Sequence, residues 1–389
     1  MRITKLFTEF FESEKSSGAV LIACTLLSLF LANSSYSLQY IHFWELIFNG
    51  HSISHWINDG LMAVFFLLIG LELEREVYNG ELSDFRNALF PILAAAGGMM
   101  VPAALYYFFN MGTDSVSGAG IPMATDIAFA LGVLTLLGKR VPINLKIFLT
   151  ALAVIDDLGA ILCIAIFYTK SIDFCQLGIS LGIFAVLLIM NRLKIRNLIP
   201  YLLGGIAMWY FMLHSGVHAT ISGVLLAFAI PFGNGREKSS SYILQHYLHW
   251  PVAFVILPLF ALANTAIDFP QEWTSGLVTN SSIGVFVGLV LGKPLGIFMV
   301  TFLSVSFGLC KLPEGIQWKH IIGAGMLAGI GFTMSIFITL LAFEDQGYII
   351  YSKIAILISS LVAAITGLVF LRFSQREQVV ESVEEEATL

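Results

Sequence analysis

The sequence predicts an all-α polytopic membrane protein with about twelve transmembrane helices, and three observations lead to this prediction. First, the 389 residues are 57% hydrophobic and only 12% charged, with a mean hydropathy of +0.85, whereas soluble domains carry roughly 25% charged residues. Second, apolar runs of near-spanning length recur along the whole chain. Third, the positively charged residues are concentrated in alternate loops. We therefore interpret residues 1–389 as a single transmembrane domain.

The apolar runs each approach the ~20 residues that a helix needs to cross a bilayer. In order, they cover residues 12–32, 56–74, 88–110, 119–137, 145–168, 174–191, 198–212, 216–232, 244–267, 283–306, 320–343 and 351–371. The runs at 198–212 and 216–232 are the shortest, so the number of spans needs an independent test.

The distribution of lysine and arginine supplies that test. With twelve spans, 17 of the 20 basic residues lie on the same side as the N-terminus, Lys170 and Lys353 lie on the other side, and Lys293 lies inside a span. Because basic loops stay in the cytoplasm, we expect both termini to be cytoplasmic. The acidic segment 373–389 is then a cytoplasmic tail, which we expect to be solvated and irregular.

The longest loop on the opposite side, residues 33–55, carries a hairpin pattern. Apolar residues alternate between Tyr36 and Trp44, and Asn49-Gly50 follows, a combination that favours two strands joined by a tight turn. An isolated two-stranded hairpin is only marginally stable. We therefore predict an external hairpin over 38–52 that contacts a second copy of the chain, with an interfacial loop anchored by aromatic residues as the alternative.

Four ionisable residues lie deep inside the spans: Asp126, Asp156, Asp157 and Lys293. One charge at the centre of a membrane helix costs about 2.5–3.5 kcal/mol even on lenient insertion scales. Two adjacent aspartates cost more, because like charges disfavour each other's ionised form. Such groups usually mark an ion or proton path, so the sequence indicates transport.

Two spans contain residues that weaken a helix. The fourth has Gly118, Gly120 and Pro122 just before Thr125 and Asp126, and the eleventh has glycines at 323, 325, 329 and 331. Interrupted spans at matching places in two halves indicate a transporter built from inverted repeats. We predict that spans 3–5 and 10–12 are such repeats, each with a broken middle helix. The alternative is that the glycines only permit close helix packing.

Broken helices expose partial charges at mid-membrane, positive at N-termini and negative at C-termini. Asp126 and Lys293 are suited to compensate these charges, and carboxylate oxygens also suit a small hard cation. Asp156 and Asp157 point about 100° apart on one helix. One can therefore face a cation while the other meets Lys293, and a purely structural Asp156–Lys293 ion pair is the alternative.

Several motifs closely resemble the NhaA family of bacterial sodium/proton antiporters. They include Ala124-Thr-Asp126, Ala153-Val-Ile-Asp156-Asp157-Leu-Gly-Ala, Ser215-Gly-Val-His218-Ala-Thr, Gly292-Lys293-Pro-Leu-Gly and Gly329-Ile-Gly-Phe-Thr-Met-Ser335. The resemblance implies crossed broken helices at spans 4 and 11, a homodimer, an inner-membrane location and electrogenic exchange of Na⁺ or Li⁺ for H⁺. It implies cation binding at Asp156 and Asp157, with Thr125 and Asp126 nearby and Lys293 opposite.

The resemblance also implies regulation by pH at a cytoplasmic funnel formed here by Glu72, Glu76, His218 and the start of span nine. An acidic residue is expected just before His246, and this chain has Gln245 instead. Read from the residues alone, Glu72 lies near a helix end and can snorkel to the surface. His218 titrates in the right range, but a hydrogen-bonded membrane histidine is an equally good interpretation.

The expected mechanism is competition of Na⁺ and protons for the same carboxylate oxygens, with the site opening alternately to each side. An intramembrane aspartyl protease is a rival, but its carboxyls must converge from two helices, and no Gly-x-Gly-Asp motif is present. A passive channel is a second rival, although it has no need of a lysine opposite the acids. We expect no enzyme activity, cofactor or nucleic-acid partner, and the four cysteines show no disulfide or metal-site spacing.

Overall fold

A computed structural model of the chain describes residues 5–138, 141–169, 171–233, 239–270 and 273–388. Within these residues, seven helices are long and apolar enough to cross a membrane, or up to ten if each of three bent helix pairs forms one span. The protein is therefore a helical membrane protein, as predicted. The described residues divide into two compact units, which fall within 1–6, 19–83 and 161–269 for the first and within 7–18, 84–160 and 270–389 for the second.

The first unit is built from apolar helices and one small hairpin. Its helices are Lys5–Ala32 (which also contributes to the second unit), Ser37–Glu45, Ile53–His55, Met62–Asn79, Phe174–Arg192, Leu198–Leu213, Ile221–Ala229, Ser240–Pro251 and Leu257–Asn264. A 3₁₀ turn covers Glu81–Ser83, and π-helical turns at Trp56–Leu61 and Val252–Ile256 lie inside two of the spans. Its core is formed by side chains such as Leu67, Leu71, Tyr201, Met208 and Leu226.

The predicted hairpin is shorter than 38–52. Strands Ile47–Phe48 and His51–Ser52 pair antiparallel across Asn49-Gly50, whose positive φ values of 49° and 85° are those of a tight hairpin turn. The preceding stretch, predicted as a strand, is the helix Ser37–Glu45. In that helix Tyr40 and Trp44 lie one turn apart with ring centroids 5.9 Å apart, and the Tyr40 hydroxyl bonds to Ser28 Oγ and the Leu262 carbonyl, each at 3.0 Å. These contacts stabilise the helical form, although the alternating apolar residues favour a strand.

The second unit contains the two helices that the sequence predicts to be broken. The first broken helix consists of a 3₁₀ segment, Asp114–Met123, and an α-helix, Ile127–Thr135, bent by 43°. The second consists of Trp318–Ala328 and Phe332–Ala342, bent by 49°. The remaining helices are Phe85–Asn110, Ile143–Phe167, Trp273–Gly276, Asn280–Val287, Lys293–Ser306 and Gln346–Thr388, with a π-helical turn at Gly288–Gly292.

Glycines allow helices of the second unit to approach closely. A Cβ on Gly97 would lie 2.3 Å from the Gly296 carbonyl oxygen, and a Cβ on Gly296 would lie 2.2 Å from the Gly97 carbonyl oxygen. Likewise, a Cβ on Gly325 would lie 2.9 Å from Pro294 Cα. The glycines of the eleventh run therefore serve both predicted purposes, since Gly325 permits packing while Gly329 and Gly331 lie at the break.

The C-terminal segment differs from the sequence prediction. The last helix continues from Gln346 to Thr388, so the 373–389 tail is helical rather than irregular over the part that the structure describes, and Leu389 lies outside it. The reason is local, because glutamate, glutamine and alanine are good helix formers and no glycine or proline follows Gly367.

Candidate cation site

The two breaks touch each other inside the second unit. Ala124 and Asp126 have extended backbone torsions, with ψ of 150° and 100°, so the chain leaves helical geometry between Met123 and Ile127. Gly329 ends one half of the second broken helix, and Gly331 precedes the other. The Asp126 N–H donates to the Ile330 carbonyl at 2.7 Å. Each break thus satisfies a polar backbone group of the other, which a membrane interior requires.

Asp126 caps two half-helices at once. Its Oδ1 accepts a hydrogen bond from the Phe129 N–H at 3.0 Å, at the start of the helix that Asp126 itself precedes. Its Oδ2 accepts from the Thr333 N–H at 3.0 Å and from the Thr333 hydroxyl, at the start of Phe332–Ala342. The side chain is buried, at 2% exposure. One carboxylate therefore faces two helix N-termini, where partial positive charge accumulates.

Lys293 contacts the C-terminal end of the 3₁₀ half of the first broken helix. Its ammonium group is fully buried and donates to the carbonyl of Met123, the last residue of the 3₁₀ segment. The same Nζ lies 2.9 Å from Asp156 Oδ2. A cation thus meets a carbonyl at a C-terminal end, where partial negative charge accumulates, and also forms a buried ion pair.

Asp156 connects the ion pair to both breaks. Its Oδ2 also accepts a hydrogen bond from the Thr125 hydroxyl at 2.7 Å, and that hydroxyl lies 3.0 Å from the carbonyl oxygen of Ala328. Asp156 Oδ1 is buried and accepts no hydrogen bond from the described part of the chain. Asp157, at 1% exposure, is the next residue on the same helix. The site therefore concentrates carboxylate, hydroxyl and carbonyl oxygens, the ligands that hard cations prefer.

Comparison with known proteins shows which family the chain matches. A family model described as "Na+/H+ antiporter 1" matches residues 8–371. The chain is 64% identical to the Na(+)/H(+) antiporter NhaA of Flavobacterium psychrophilum, over 98% of this chain and 100% of that protein. It is 59% identical to the NhaA of Cytophaga hutchinsonii, over 99% and 100% of the two chains, and 46% identical to that of Vibrio cholerae, over 96% and 98%.

The chain belongs to the Na⁺/H⁺ antiporter 1 family. The resemblance seen in the sequence motifs is thereby confirmed. Members of this family are transporters and not enzymes, so the protease alternative is wrong. The helical, multi-pass membrane architecture agrees with this assignment.

Three of the residues predicted to regulate antiport by pH lie on or beside the helix Met62–Asn79, in the first unit. Glu72 is buried, at 5% exposure, and hydrogen-bonds with the side chain of Gln245. Glu76 lies 3.5 Å from the Arg75 guanidinium. Gln245 therefore contacts Glu72 directly, whereas the adjacent His246 is exposed.

His218 contacts other groups of the first unit, and its membership of one funnel with Glu72 stays a prediction. His218 Nε2 lies 3.1 Å from the Tyr168 carbonyl oxygen, and its charge acts on Asp59. Asp59 and Glu72 lie thirteen positions apart on the continuous span Ile53–Asn79, about 20 Å at 1.5 Å per residue. The sequence places His218 at the start of the eighth run, and the packing of that start against Asp59 is a tertiary feature.

Sequence reasoning missed two polar contacts. Thr333 donates twice to Asp126, and the available signal was a threonine in the first turn after the Gly329–Gly331 break. Glu74 is buried, at 5% exposure, and accepts a hydrogen bond from the Ser241 hydroxyl at 3.4 Å. The signal for Glu74 was its position between two other glutamates on an apolar helix.

Proposed function

We propose that the protein is an electrogenic antiporter that moves cytoplasmic Na⁺, or Li⁺, out of the cell in exchange for external H⁺. The family supports Na⁺/H⁺ antiport. The buried Asp156 carboxylate carries the proposal of cation binding. Its Oδ2 contacts Lys293 and Thr125, whereas its Oδ1 accepts no hydrogen bond from the described part of the chain.

The proposed coupling is direct competition. Na⁺ and H⁺ both bind carboxylate oxygens, so Asp156 and Asp157 cannot hold protons and a cation on the same oxygens at once. Thr125 and the break carbonyls supply neutral oxygens for the cation, while Asp126 and Lys293 compensate the helix dipoles. Both ions occupy one site that opens alternately to each side. Outward movement of Na⁺ therefore requires inward movement of H⁺.

The proposed architecture has twelve spans, both termini in the cytoplasm and residence in the bacterial inner membrane. The ten spans obtained by joining the bent pairs become twelve when Leu198–Leu213 and Ile221–Ala229 are added. The distribution of basic residues supports this topology. The two broken helices, bent by 43° and 49°, support an inverted repeat of spans 3–5 and 10–12.

Two further proposals concern assembly and regulation. The hairpin presents Ile47 and Phe48, which are 78% and 71% exposed, and we propose that these residues contact a second copy in a homodimer. Regulation by cytoplasmic pH is proposed for Glu72, Glu76, His218, Gln245 and His246. Gln245 carries no titratable group, so it cannot itself bind the regulatory proton.

Proton release on cation binding tests the competition. Adding Na⁺ to purified protein in weak buffer should release protons, most strongly near neutral pH and less at high pH, where the sites have already lost their protons. Li⁺ should act likewise, whereas the larger K⁺ should have little effect. The double variant Asp156→Asn with Asp157→Asn should release none. Asp345→Asn is the control, because Asp345 is exposed and accepts from the Gly347 and Tyr348 N–H groups at the start of Gln346–Thr388.

Binding of Na⁺ without proton release at any pH would show that direct competition is wrong. Coupling would then arise from a conformational step elsewhere. A passive channel is distinguished by sealed vesicles, because an imposed Na⁺ gradient drives H⁺ movement through an antiporter and not through a channel.

A further inference from the structure

The 114–123 half of the first broken helix is a 3₁₀-helix of ten residues. Runs of 3₁₀-helix longer than three or four residues are uncommon, because their hydrogen-bond geometry is poor. The segment Asp-Ser-Val-Ser-Gly-Ala-Gly-Ile-Pro-Met also contains two glycines and a proline, which weaken any helix. Contacts with neighbouring elements must therefore hold this segment in its extended form.

Hydrogen bonds with two buried side chains of the preceding helix, Tyr106 and Asn110, hold its first turn at Ser115. The Tyr106 hydroxyl donates to the Ser115 carbonyl at 2.9 Å, and the Ser115 hydroxyl donates to Asn110 Oδ1 at 2.6 Å. All three side chains are buried, at 0% exposure for Tyr106 and Asn110 and 2% for Ser115. A Cβ on Gly118 would lie 2.3 Å from Tyr106 Oη, so the glycine makes room for the hydroxyl.

The hydrogen bonds of Tyr106 and Asn110 with Ser115 form a clamp on the half-helix, and a chain of hydroxyl groups supports it. Tyr106 Oη lies 3.0 Å from Ser281 Oγ, which lies 3.2 Å from Ser352 Oγ. A carbonyl oxygen can only accept, so the Tyr106 hydroxyl donates to the Ser115 carbonyl. The Ser281 hydroxyl then donates to Tyr106 Oη, and the Ser352 hydroxyl donates to Ser281 Oγ. The clamp thus connects the half-helix to Asn280–Val287 and Gln346–Thr388.

The opposite end of the half-helix forms part of the cation site. The Ile121 carbonyl accepts a hydrogen bond from Ser335 at 2.7 Å, the Met123 carbonyl binds Lys293, and Thr125 follows. A 3₁₀-helix rises about 2.0 Å per residue and an α-helix 1.5 Å, so rewinding ten residues would shorten the segment by about 5 Å. The helical form of the segment therefore determines the distance from Ser115 to Met123 and Thr125.

We propose that Tyr106 is a positioning residue for cation binding, which holds the 114–123 half-helix in its 3₁₀ form and so places Met123 and Thr125 against Lys293 and Asp156. The proposal rests on the proposed exchange at Asp156 and Asp157. It assigns a role in cation affinity to a hydroxyl group that lies at the far end of the half-helix and outside the site.

The test compares Tyr106→Phe with Tyr107→Phe in full-length protein reconstituted into vesicles. Tyr107 is the next residue on the same helix and is 50% exposed, so it controls for loss of a tyrosine hydroxyl. Tyr106→Phe should raise the half-saturating Na⁺ concentration about five-fold, the factor that corresponds to one lost hydrogen bond of ~1 kcal/mol. The maximal rate should stay near that of the unmodified protein, and the Li⁺ to Na⁺ preference should change, because the ligand spacing changes.

Ser115→Ala provides a second variant if Tyr106→Phe does not fold. It removes the bond to Asn110 and the 2.8 Å contact with the Thr113 hydroxyl without altering aromatic packing, and it should also raise the half-saturating Na⁺ concentration. Unchanged affinity and ion preference in both folded variants would overturn the proposal. A loss of maximal rate with unchanged affinity would also overturn it, since this pattern indicates only fewer active molecules. If the unmodified protein shows no exchange, the proposed function itself fails, which is a distinct outcome.

Discussion

Replacement of Lys293 by methionine should destabilise the protein mainly through the charge left on Asp156. Methionine keeps the length and approximate volume of the lysine stem, so packing changes should cost less than about 1.5 kcal/mol. The substitution removes the ammonium group 2.9 Å from Asp156 Oδ2 at a site where both side chains are fully buried. It also removes the donor to the Met123 carbonyl.

The expected magnitude follows from that burial. Breaking a buried ion pair by removing one partner costs about 3–5 kcal/mol, because the remaining charge is uncompensated. The Thr125 hydroxyl still donates to Asp156, but one hydrogen bond does not replace a full charge. With an unfolding entropy of about 2.1 cal/mol/K per residue, this loss lowers the melting temperature by roughly 4–6 °C. The loss should be largest at high pH and smaller toward neutral and acidic pH, where protonation of Asp156 removes the charge.

A double-mutant cycle in lipid nanodiscs checks this reasoning. Lys293→Met and Asp156→Asn should each lower the melting temperature, because each leaves one buried charge without its partner. The combined variant contains neither charge, so its melting temperature should fall less than that of either single variant. Such a result is strong non-additivity, as expected for residues in contact. Additive losses, or a penalty for Lys293→Met that does not depend on pH, would refute the ion-pair argument.

Three further outcomes are expected. Asp157→Asn should abolish Na⁺-dependent H⁺ exchange in vesicles while leaving membrane insertion intact, and near-normal exchange would contradict the site. Ile47→Ser combined with Phe48→Ser should give monomers by light scattering that still exchange ions, because every proposed ligand lies within one chain; dimers that persist would remove the hairpin from the interface. Gly296→Ala should destabilise the fold by about 1–3 kcal/mol, since its Cβ would lie 2.2 Å from the Gly97 carbonyl oxygen, whereas Gly178→Ala, with no atom within 4 Å of the added Cβ, should be tolerated in thermal unfolding.

Much of the fold was predictable because its physical causes are local in the chain. The apolar runs near 88–110 and 145–168 correspond to helices Phe85–Asn110 and Ile143–Phe167, since a bilayer admits few alternatives to a hydrogen-bonded helix. The breaks near Asp126 and Gly329 were also predictable, because glycine, proline and a capping aspartate interrupt helices wherever they occur.

Other features depended on contacts between distant parts of the chain. Residues 37–45 alternate like a strand but form a helix, because Tyr40 binds Ser28 and Leu262. His218 Nε2 lies 3.1 Å from the Tyr168 carbonyl oxygen, a contact between residues 50 positions apart that no local pattern predicts.

The candidate site divides in the same way. The identity of Asp156, Asp157, Asp126 and Lys293 followed from the sequence, because ionisable residues inside apolar runs are costly and stand out in composition. Their pairing did not, since Lys293 lies 137 positions from Asp156 and only the tertiary structure brings its Nζ within 2.9 Å of Asp156 Oδ2. The double capping by Asp126 depends on Thr333, 207 positions away. The sequence thus determined which groups carry charge into the membrane, and only the tertiary structure decided which partners neutralise them, because electrostatic compensation depends on distances of a few ångströms between remote segments.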